Sequence, residues 1–192
     1  MLFRSHETEP SQIPVILSKM LERKPFMAEY TYHNALQDWL FDSSYDHAES
    51  SNSCQQCDTL KLVERPTRDN DNPKIHYGVV ASGNQVIKHG KTRDQLAERL
   101  GNVCFEMEAA GLMGDSQCLV IRGICDYSDS HKNKQWQKYA AATAAAYAKE
   151  LLSVMPADAT QRMPTAALPS TSGDHYTLTT TLCASYILLI SP

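Results

Sequence analysis

The sequence has few positive charges, no long apolar run and no glycine near its start, and each of these shortages excludes a class of protein or site. Its 192 residues carry 18 lysines and arginines against 22 acidic residues, for a net charge of −4. A protein that binds nucleic-acid phosphates needs a clustered basic face, and none is visible here. The longest apolar run, residues 182–190, is too short to cross a bilayer, and residues 1–12 lack the apolar core of a signal peptide. We therefore predict no nucleic-acid partner, no membrane partner and a cytoplasmic location.

The six cysteines do not form an evident disulfide framework. They are scattered at positions 54, 57, 104, 118, 125 and 183, and several lie in apolar segments, where a free thiol acts as a small hydrophobic side chain. This usage is typical of a reducing compartment. Cys54 and Cys57, with His47 nearby, are of zinc-ligand types, but one pair and one histidine leave a tetrahedral site a ligand short. The sequence thus predicts no metal and leaves these three residues open as candidates.

From residue 74 onward, periodicity and turn residues predict an α/β fold. Strands are predicted at residues 74–82, 103–105 and 118–124 from alternating, β-branched or continuous apolar residues. A capping box at residues 92–95 and Gly101 mark the ends of one helix, and residues 107–113 form a short one. An alanine-rich run from Trp136, with apolar residues at helical spacing, predicts a long helix that Pro156 ends. Strands that alternate with helices in this way imply a parallel or mixed sheet flanked by helices.

The remaining segments are expected to surround this core. Residues 1–29 form an N-terminal helical segment with an amphipathic helix over residues 11–23, and residues 30–41 show a second helical period. Within residues 30–156, the polar stretch 42–73 is expected to be a surface insertion. Residues 157–192 are predicted to be a disordered tail. The first seventy residues show no evident strand, so we expect residues 74–155 to form only part of a sheet.

Three acidic residues, Glu106, Glu108 and Asp126, follow strongly apolar strands. In open α/β sheets, ligands bind in the crevice outside the carboxyl ends of the strands, so these carboxylates are expected to face one crevice. Acids at the start of a helix can also simply complement the helix dipole, and this alternative stays open for Glu106 and Glu108. Arg122, inside an apolar strand, is expected to be a structural partner for a carboxylate.

Three motifs carry a resemblance to a known family. ASGNQVI at 81–87, CFEMEAAGLM at 104–113 and VIRGICDYSDSHKN at 120–133 resemble, in order and spacing, the C-terminal half of the purine/uridine phosphorylase and methylthioadenosine/S-adenosylhomocysteine nucleosidase superfamily. The chain is most similar to the nucleoside-phosphorylase-like modules of fungal multidomain proteins, which often precede NTPase or repeat regions. The resemblance covers residues 37–156 and implies a partial nucleoside-phosphorylase-like fold.

The resemblance also implies a reaction, the cleavage of the N-glycosidic bond of purine nucleosides. By its place in the motif, Asp126 matches the general acid that protonates the departing base, a task that needs a raised pKa. Desolvation by Ile124 and Tyr127 is expected to supply that rise. Glu108 matches the residue that binds the ribose hydroxyls and stabilises the cationic sugar. Met107 matches the residue packed on the ribose face, and Glu106 is expected to be a supporting carboxylate.

Other implied features concern the base, the acceptor and assembly. Val86 and Ile87 match positions that line the base pocket, and Cys125 stands where some nucleosidases have serine. No cofactor is implied; phosphate is a possible co-substrate, and a homo-oligomer is possible because family members often build sites across dimers.

The family's glycine-rich phosphate loop has no counterpart here, since no glycine precedes Tyr30. The expected module is therefore truncated, and its activity stays open. The alternatives are a non-catalytic purine-binding or signalling module of a fungal NTPase/repeat-type recognition protein, and a chain that does not fold stably alone.

Overall fold

The computed structural model describes residues 10–33, 36–48, 53–111, 119–155 and 187–191. The helices are α1 (Ile13–Arg23), α2 (Gly90–Leu100) and α3 (Gln137–Val154), and the strands are β1 (Lys74–Ser82), β2 (Asn102–Glu106), β3 (Ile121–Gly123) and β4 (Ile187–Ser191). Short 3-10 helices occur at Pro25–Tyr30, Cys54–Gln56, Thr59–Lys61 and Ala109–Gly111. The predicted α/β class, with a small sheet flanked by helices, is confirmed.

The sheet is mixed, with strand order β2-β1-β4-β3. β1 is parallel to β2 and antiparallel to β4, while β3 is parallel to β4, so β3 runs opposite to β1 and β2. β1 pairs with β4 over residues 74–78 and with β2 over residues 79–82, and the register shifts between Val79 and Val80. Such irregularities bend and twist a strand. The two halves of β1 therefore have different neighbours.

Strand β4 lies within the stretch that the sequence assigned to a tail. Residues 187–191 pair with both β1 and β3, whereas residues 156–186 lie outside the described residues. The same is true of residues 112–118, where the predicted short helix ends and the predicted third strand starts. The described part of that helix forms only one 3-10 turn, Ala109–Gly111, and the strand is ordered as the shorter β3.

The prediction of a helix over residues 30–41 is wrong for the residues that the structure describes there, because their backbone is used in tertiary contacts. The indole of Trp136 donates to Gln37 O at 2.9 Å, and Leu40 O accepts from Val63 N at 2.8 Å. Phe41 forms an isolated antiparallel bridge with Leu62. The apolar residues at helical spacing instead lie on an extended segment, where Leu36 is buried and Trp39 and Leu40 are half-buried, as happens when tertiary packing overrides propensity.

The main core lies between α1 and α3. It is built from buried apolar side chains of both helices and of the segment after Tyr32: Ile13, Leu17, Leu36, Trp136, Tyr139, Ala146, Tyr147 and Leu151. Buried Glu150 accepts from Gln12 N at 2.9 Å and Ser11 Oγ at 3.0 Å, so a carboxylate of α3 serves the N-terminus of α1, where an anion is favourable. Among the described helices, none has both the length and the apolar character needed to cross a membrane.

The ends of α2 differ in how well the sequence predicts them. Gly101 ends the helix in the left-handed conformation at φ 62°, as predicted. The helix begins two residues before the predicted capping box, however, because His89 Nδ1 accepts from Thr92 N at 3.3 Å and acts as the N-cap. A histidine in this role has no common sequence signature.

Candidate active site

One cleft of about 340 Å³ is lined by all seven residues that the sequence singled out for base or ribose contacts. They are Val86 and Ile87 after β1, Glu106, Met107 and Glu108 at the end of β2, and Cys125 and Asp126 after β3. Its volume is in the range of small-molecule sites. We expected these residues to meet because the carboxyl ends of parallel strands lie at the same edge of a sheet. β3 runs opposite to β2, however, so the residues come together in a different way.

Two segments supply the polar side chains of the cleft, and we name them by their content. The acidic turn comprises residues 106–111 and follows β2. The aspartate loop comprises residues 124–133 and follows β3.

Glu106 holds the acidic turn in shape. Its carboxylate is buried, and Oε2 accepts from the backbone N–H groups of Glu108 and Ala109, both at 2.8 Å. This is the helix-start role that the sequence left open, here for a 3-10 turn. Oε1 has no hydrogen-bond partner among the described residues although it is buried. Glu106 thus supports the turn directly. It also lines the cleft and carries this one acceptor oxygen without a partner.

Glu108 and Met107 are more open to solvent than Glu106. The side chain of Glu108 is 62% exposed and pairs with Arg122 Nη1 at 2.9 Å, so the expectation that Arg122 partners a carboxylate is confirmed. Met107 is 44% exposed. Both side chains are therefore accessible to a ligand in the cleft, and Glu108 already has a cation beside it.

Asp126 is the acid that the aspartate loop brings to the cleft. Its side chain is 13% exposed. Oδ1 accepts from Ser128 N at 3.0 Å and Lys132 Nζ at 2.9 Å, whereas Oδ2 has only a thiol contact, from Cys125 Sγ at 3.5 Å. Ser128 adopts a positive φ of 53°, uncommon for a residue other than glycine. The loop thus turns sharply to give Asp126 two donors on one oxygen and leaves the other oxygen nearly free.

Tyr127 does not shield Asp126 in the expected way. Its ring does not line the cleft, and its hydroxyl donates to Asp38 Oδ1 at 2.5 Å while accepting from Arg65 Nη1 at 2.6 Å. Burial, together with the Asp38 carboxylate, raises the pKa of Tyr127, so the hydroxyl stays protonated as a donor. Arg93 Nη1 binds Tyr127 O at 3.0 Å. Tyr127 therefore anchors the aspartate loop to segments that precede β1 and to α2.

The thiols near the cleft are not activated nucleophiles. Burial raises the pKa of Cys104 to about 12 and that of Cys125 to about 11. Both groups therefore remain neutral thiols at neutral pH, whereas nucleophilic cysteines react as thiolates. This agrees with the interpretation of these cysteines as small hydrophobic side chains.

Sequence reasoning missed two cations of the cleft. Arg122 was expected only as a structural partner, and Lys132 was not singled out, yet both line the cleft and each pairs with one predicted acid. Lys132 lies in a polar loop without periodicity, so no local pattern indicated its direction. Outside the cleft, the ligand atoms of His47, Cys54 and Cys57 lie within 4.8 Å of one another.

Comparisons with known proteins support the superfamily resemblance and extend it. A nucleotide-binding leucine-rich repeat (NLR)-like protein of Hyaloscypha variabilis is 58% identical over 94 residues, which cover 49% of this chain and 10% of that protein. The 5′-methylthioadenosine/S-adenosylhomocysteine nucleosidases of Mycobacterium bovis and Mycobacterium tuberculosis are each 29% identical over 89 residues, which cover 44% of this chain and 35% of theirs. No family model and no solved structure matches.

The matched regions are short relative to the relatives. The chain spans about a tenth of the NLR-like protein and about a third of each nucleosidase. At this coverage the similarity supports a nucleoside phosphorylase/nucleosidase-like module, while a reaction, a substrate and an assembly are matters for proposal.

Proposed function

We propose that this module binds a purine nucleoside in the cleft between the acidic turn and the aspartate loop and cleaves its N-glycosidic bond. The observation that carries the proposal is the meeting in one cleft of about 340 Å³ of the seven residues that three separate motifs supply. Cleavage places positive charge on the ribose and negative charge on the base. A site for this reaction needs a carboxylate near the sugar and a proton donor near the base, and the two segments offer one of each.

Asp126 would be the proton donor, through Oδ2. Oδ1 is occupied by the Ser128 N–H and the Lys132 ammonium, so a proton held by this carboxyl belongs on Oδ2. That oxygen has only the weak contact with Cys125 Sγ, and it is free to donate towards a base nitrogen. Val86 and Ile87 would hold the base.

Glu108 would receive the ribose hydroxyls. Its exposure and single ion pair leave carboxylate lone pairs available to accept from two hydroxyl groups. Met107, 44% exposed beside it, would pack on the sugar face. Arg122 would orient the Glu108 carboxylate. Whether water or phosphate accepts the sugar is to be settled by the assay below.

The test is release of free base by the purified chain. Adenosine, inosine and methylthioadenosine are incubated with protein, with and without phosphate, and the base is measured by chromatography. We expect turnover that Asp126→Asn lowers by about 10²-fold or more, because general acid catalysis contributes about 10²–10⁴-fold. Asp69→Asn, an exposed carboxylate outside the cleft, is the matched control and should keep full turnover. Turnover that is unaffected by Asp126→Asn would refute the assignment.

A second candidate function is purine recognition without turnover. It is favoured by the pairing of both predicted functional acids with cations, Glu108 with Arg122 and Asp126 with Lys132. Titration calorimetry with adenine and adenosine separates the two candidates. Binding without base release supports recognition alone, and absence of both binding and release overturns both candidates.

A further inference from the structure

A cluster of ligand-type side chains lies outside the cleft, where the insertion meets the aspartate loop. The ligand atoms of His47, Cys54 and Cys57 all lie within 4.8 Å of one another. Ligands on a tetrahedral Zn²⁺ stand roughly 3.4–3.8 Å apart, given Zn–S near 2.3 Å and Zn–N near 2.0 Å. Small side-chain adjustments would therefore bring the three atoms onto one ion.

The backbone around the two cysteines is already shaped for joint binding. Cys54–Gln56 forms a 3-10 turn, and Cys57 N donates to Cys54 O at 3.0 Å, which directs both thiols to one side. The two cysteines are free thiols rather than a disulfide. The spacing C-x-x-C is the one that structural zinc sites use for a cysteine pair.

His131 of the aspartate loop is a fourth ligand-type side chain and lies beside the cluster, outside the group of three whose ligand atoms are within 4.8 Å of one another. Its ring centroid is 5.4 Å from that of His47, and its carbonyl oxygen accepts from Cys54 Sγ at 3.6 Å. The side chain is 3% exposed, yet neither ring nitrogen has a hydrogen-bond partner among the described residues. An imidazole always carries at least one N–H, and a buried donor without a partner is costly.

The surroundings of His131 also fix which nitrogen would face a metal. Asp129 is buried, and its Oδ2 lies 3.9 Å from His131 Nδ1. Ligating histidines usually donate one N–H to a carboxylate and bind the metal through the other nitrogen. Nδ1 is thus the nitrogen for Asp129, and Nε2 is the nitrogen left for an ion.

We propose that His47, Cys54 and Cys57 bind one Zn²⁺ ion, and that His131 completes the tetrahedron through Nε2. Binding transfers the two thiol protons to solvent, and two thiolates then balance the charge of the ion. Three ligands belong to the insertion and the fourth to the aspartate loop. The ion would cross-link the insertion to the loop that carries Asp126, and this structural role does not depend on whether the cleft is catalytic.

The first test measures metal content in the full chain. Protein produced with added zinc is desalted and analysed by mass spectrometry for Zn²⁺ per chain, and X-ray absorption reports the ligands. We expect one Zn²⁺ with two sulfur ligands at about 2.3 Å and two nitrogen ligands. No bound zinc, or a Cys54–Cys57 disulfide in protein kept under reductant, would overturn the site.

Matched variants identify the ligands. Cys54→Ser and Cys57→Ser should each weaken zinc binding by more than about 100-fold in a chelator competition, exceeding the 10–100-fold typical of outer-shell changes. Cys104→Ser, which changes a half-buried thiol on β2 away from the cluster, should keep the metal. His131→Gln should convert the ligand set to two sulfur, one nitrogen and one oxygen, with His33→Gln as its control. An unchanged ligand set in His131→Gln would overturn the role of His131.

A measurement on the unaltered chain covers the case in which variants fail to fold. Hydrogen exchange is followed with zinc and after removal of zinc by a chelator. We expect residues 53–58 and 128–133 to lose protection together on chelation while β2 keeps its protection. Equal rates of hydrogen exchange with and without zinc would contradict the cross-linking role of the ion.

Discussion

The two sides of the cleft are built to different degrees of rigidity. The aspartate loop is held by Arg65, Arg93 and Asp38, all of which act on Tyr127, and it buries Asp129 and His131. The acidic turn is held mainly by one carboxylate, Glu106, and exposes Met107 and Glu108.

The difference matches the two tasks that we propose. A proton donor must be aimed at one atom of the base, and preorganised donors contribute most to catalysis when they do not need to move. A ribose has several hydroxyl groups and must enter and leave. If the proposed roles hold, the comparison teaches that the side for the base would be set in advance, whereas the side for the sugar would close on a ligand.

The largest expected effect on stability comes from Gly123→Ala, a change at the end of β3 directly before the aspartate loop. A Cβ at Gly123 would lie 2.1 Å from the backbone oxygen of Ala140, so α3 must separate from β3. We expect a loss of about 3 kcal/mol in the free energy of unfolding, at the upper end of overpacking costs, measured by urea denaturation. Hydrogen exchange should increase in the aspartate loop more than in the acidic turn.

Gly83→Ala is the matched control for Gly123→Ala. Its Cβ would meet no atom within 4 Å, and it carries the same change in unfolded-chain entropy. If both variants unfold at the same urea concentration, the close approach of β3 and α3 does not limit stability.

A smaller effect is expected from Tyr127→Phe, which removes the hydroxyl that joins Asp38 and Arg65 to the loop. The Asp38–Arg65 ion pair at 3.0 Å can remain, so we expect a loss of about 1–2 kcal/mol in unfolding free energy. If the loop is preorganised by this anchor, base release should fall while the affinity for ribose alone is unchanged. Tyr30→Phe, which keeps the ring beneath Lys138 Nζ, is the control. A stability equal to that of the control would show that the hydroxyl does not anchor the loop.

The smallest effect on stability is expected from Arg122→Met. Its ion pair with Glu108 is between side chains 41% and 62% exposed, and such pairs contribute less than about 1 kcal/mol. Nucleoside binding should nevertheless change, because Glu108 loses its orienting partner, and calorimetry would measure the shift in affinity. Lys138→Met removes the pair with Glu29, which is exposed to a similar degree but lies outside the cleft, and should leave affinity unaltered. Equal affinities for the two variants would remove Arg122 from the site.

The sequence predicted the helices and strands that are determined by the pattern of residues within their own segment. The period of apolar residues from Trp136 onward marks α3, because burial on one face leaves that pattern. Alternating and then β-branched residues mark β1, although its burial does not alternate. The same logic misled at Leu36, Trp39 and Leu40, which are spaced as on a helix but belong to an extended segment that bonds to residues 61–63. The spacing of apolar residues indicates which side chains pack inward, but it does not determine the backbone conformation that places them there.

The candidate site shows the same division between local and long-range causes. Asp126, Glu108 and their neighbours could be selected because motifs carry them, and the structure brings them to one cleft. The Asp126–Lys132 pair spans only six residues, but it lies in a loop where no periodicity indicates the direction of a side chain. The pairing of Arg122 with Glu108, the anchor from Asp38, and the neighbourhood of His47 and His131 depend on folding across larger sequence separations.

Strand β4 has a consequence for the order of events in folding. In the part of the sheet that the structure describes, β3 pairs only with residues 187–191, and these follow β3 by more than sixty positions. Closing such a long loop costs entropy before any contact rewards it, which slows folding. During synthesis the helices and the β1–β2 pair could form early, while β3 waits unpaired for residues made seconds later. The proposed recognition of a base would then have to wait until residues 187–191 have been synthesised.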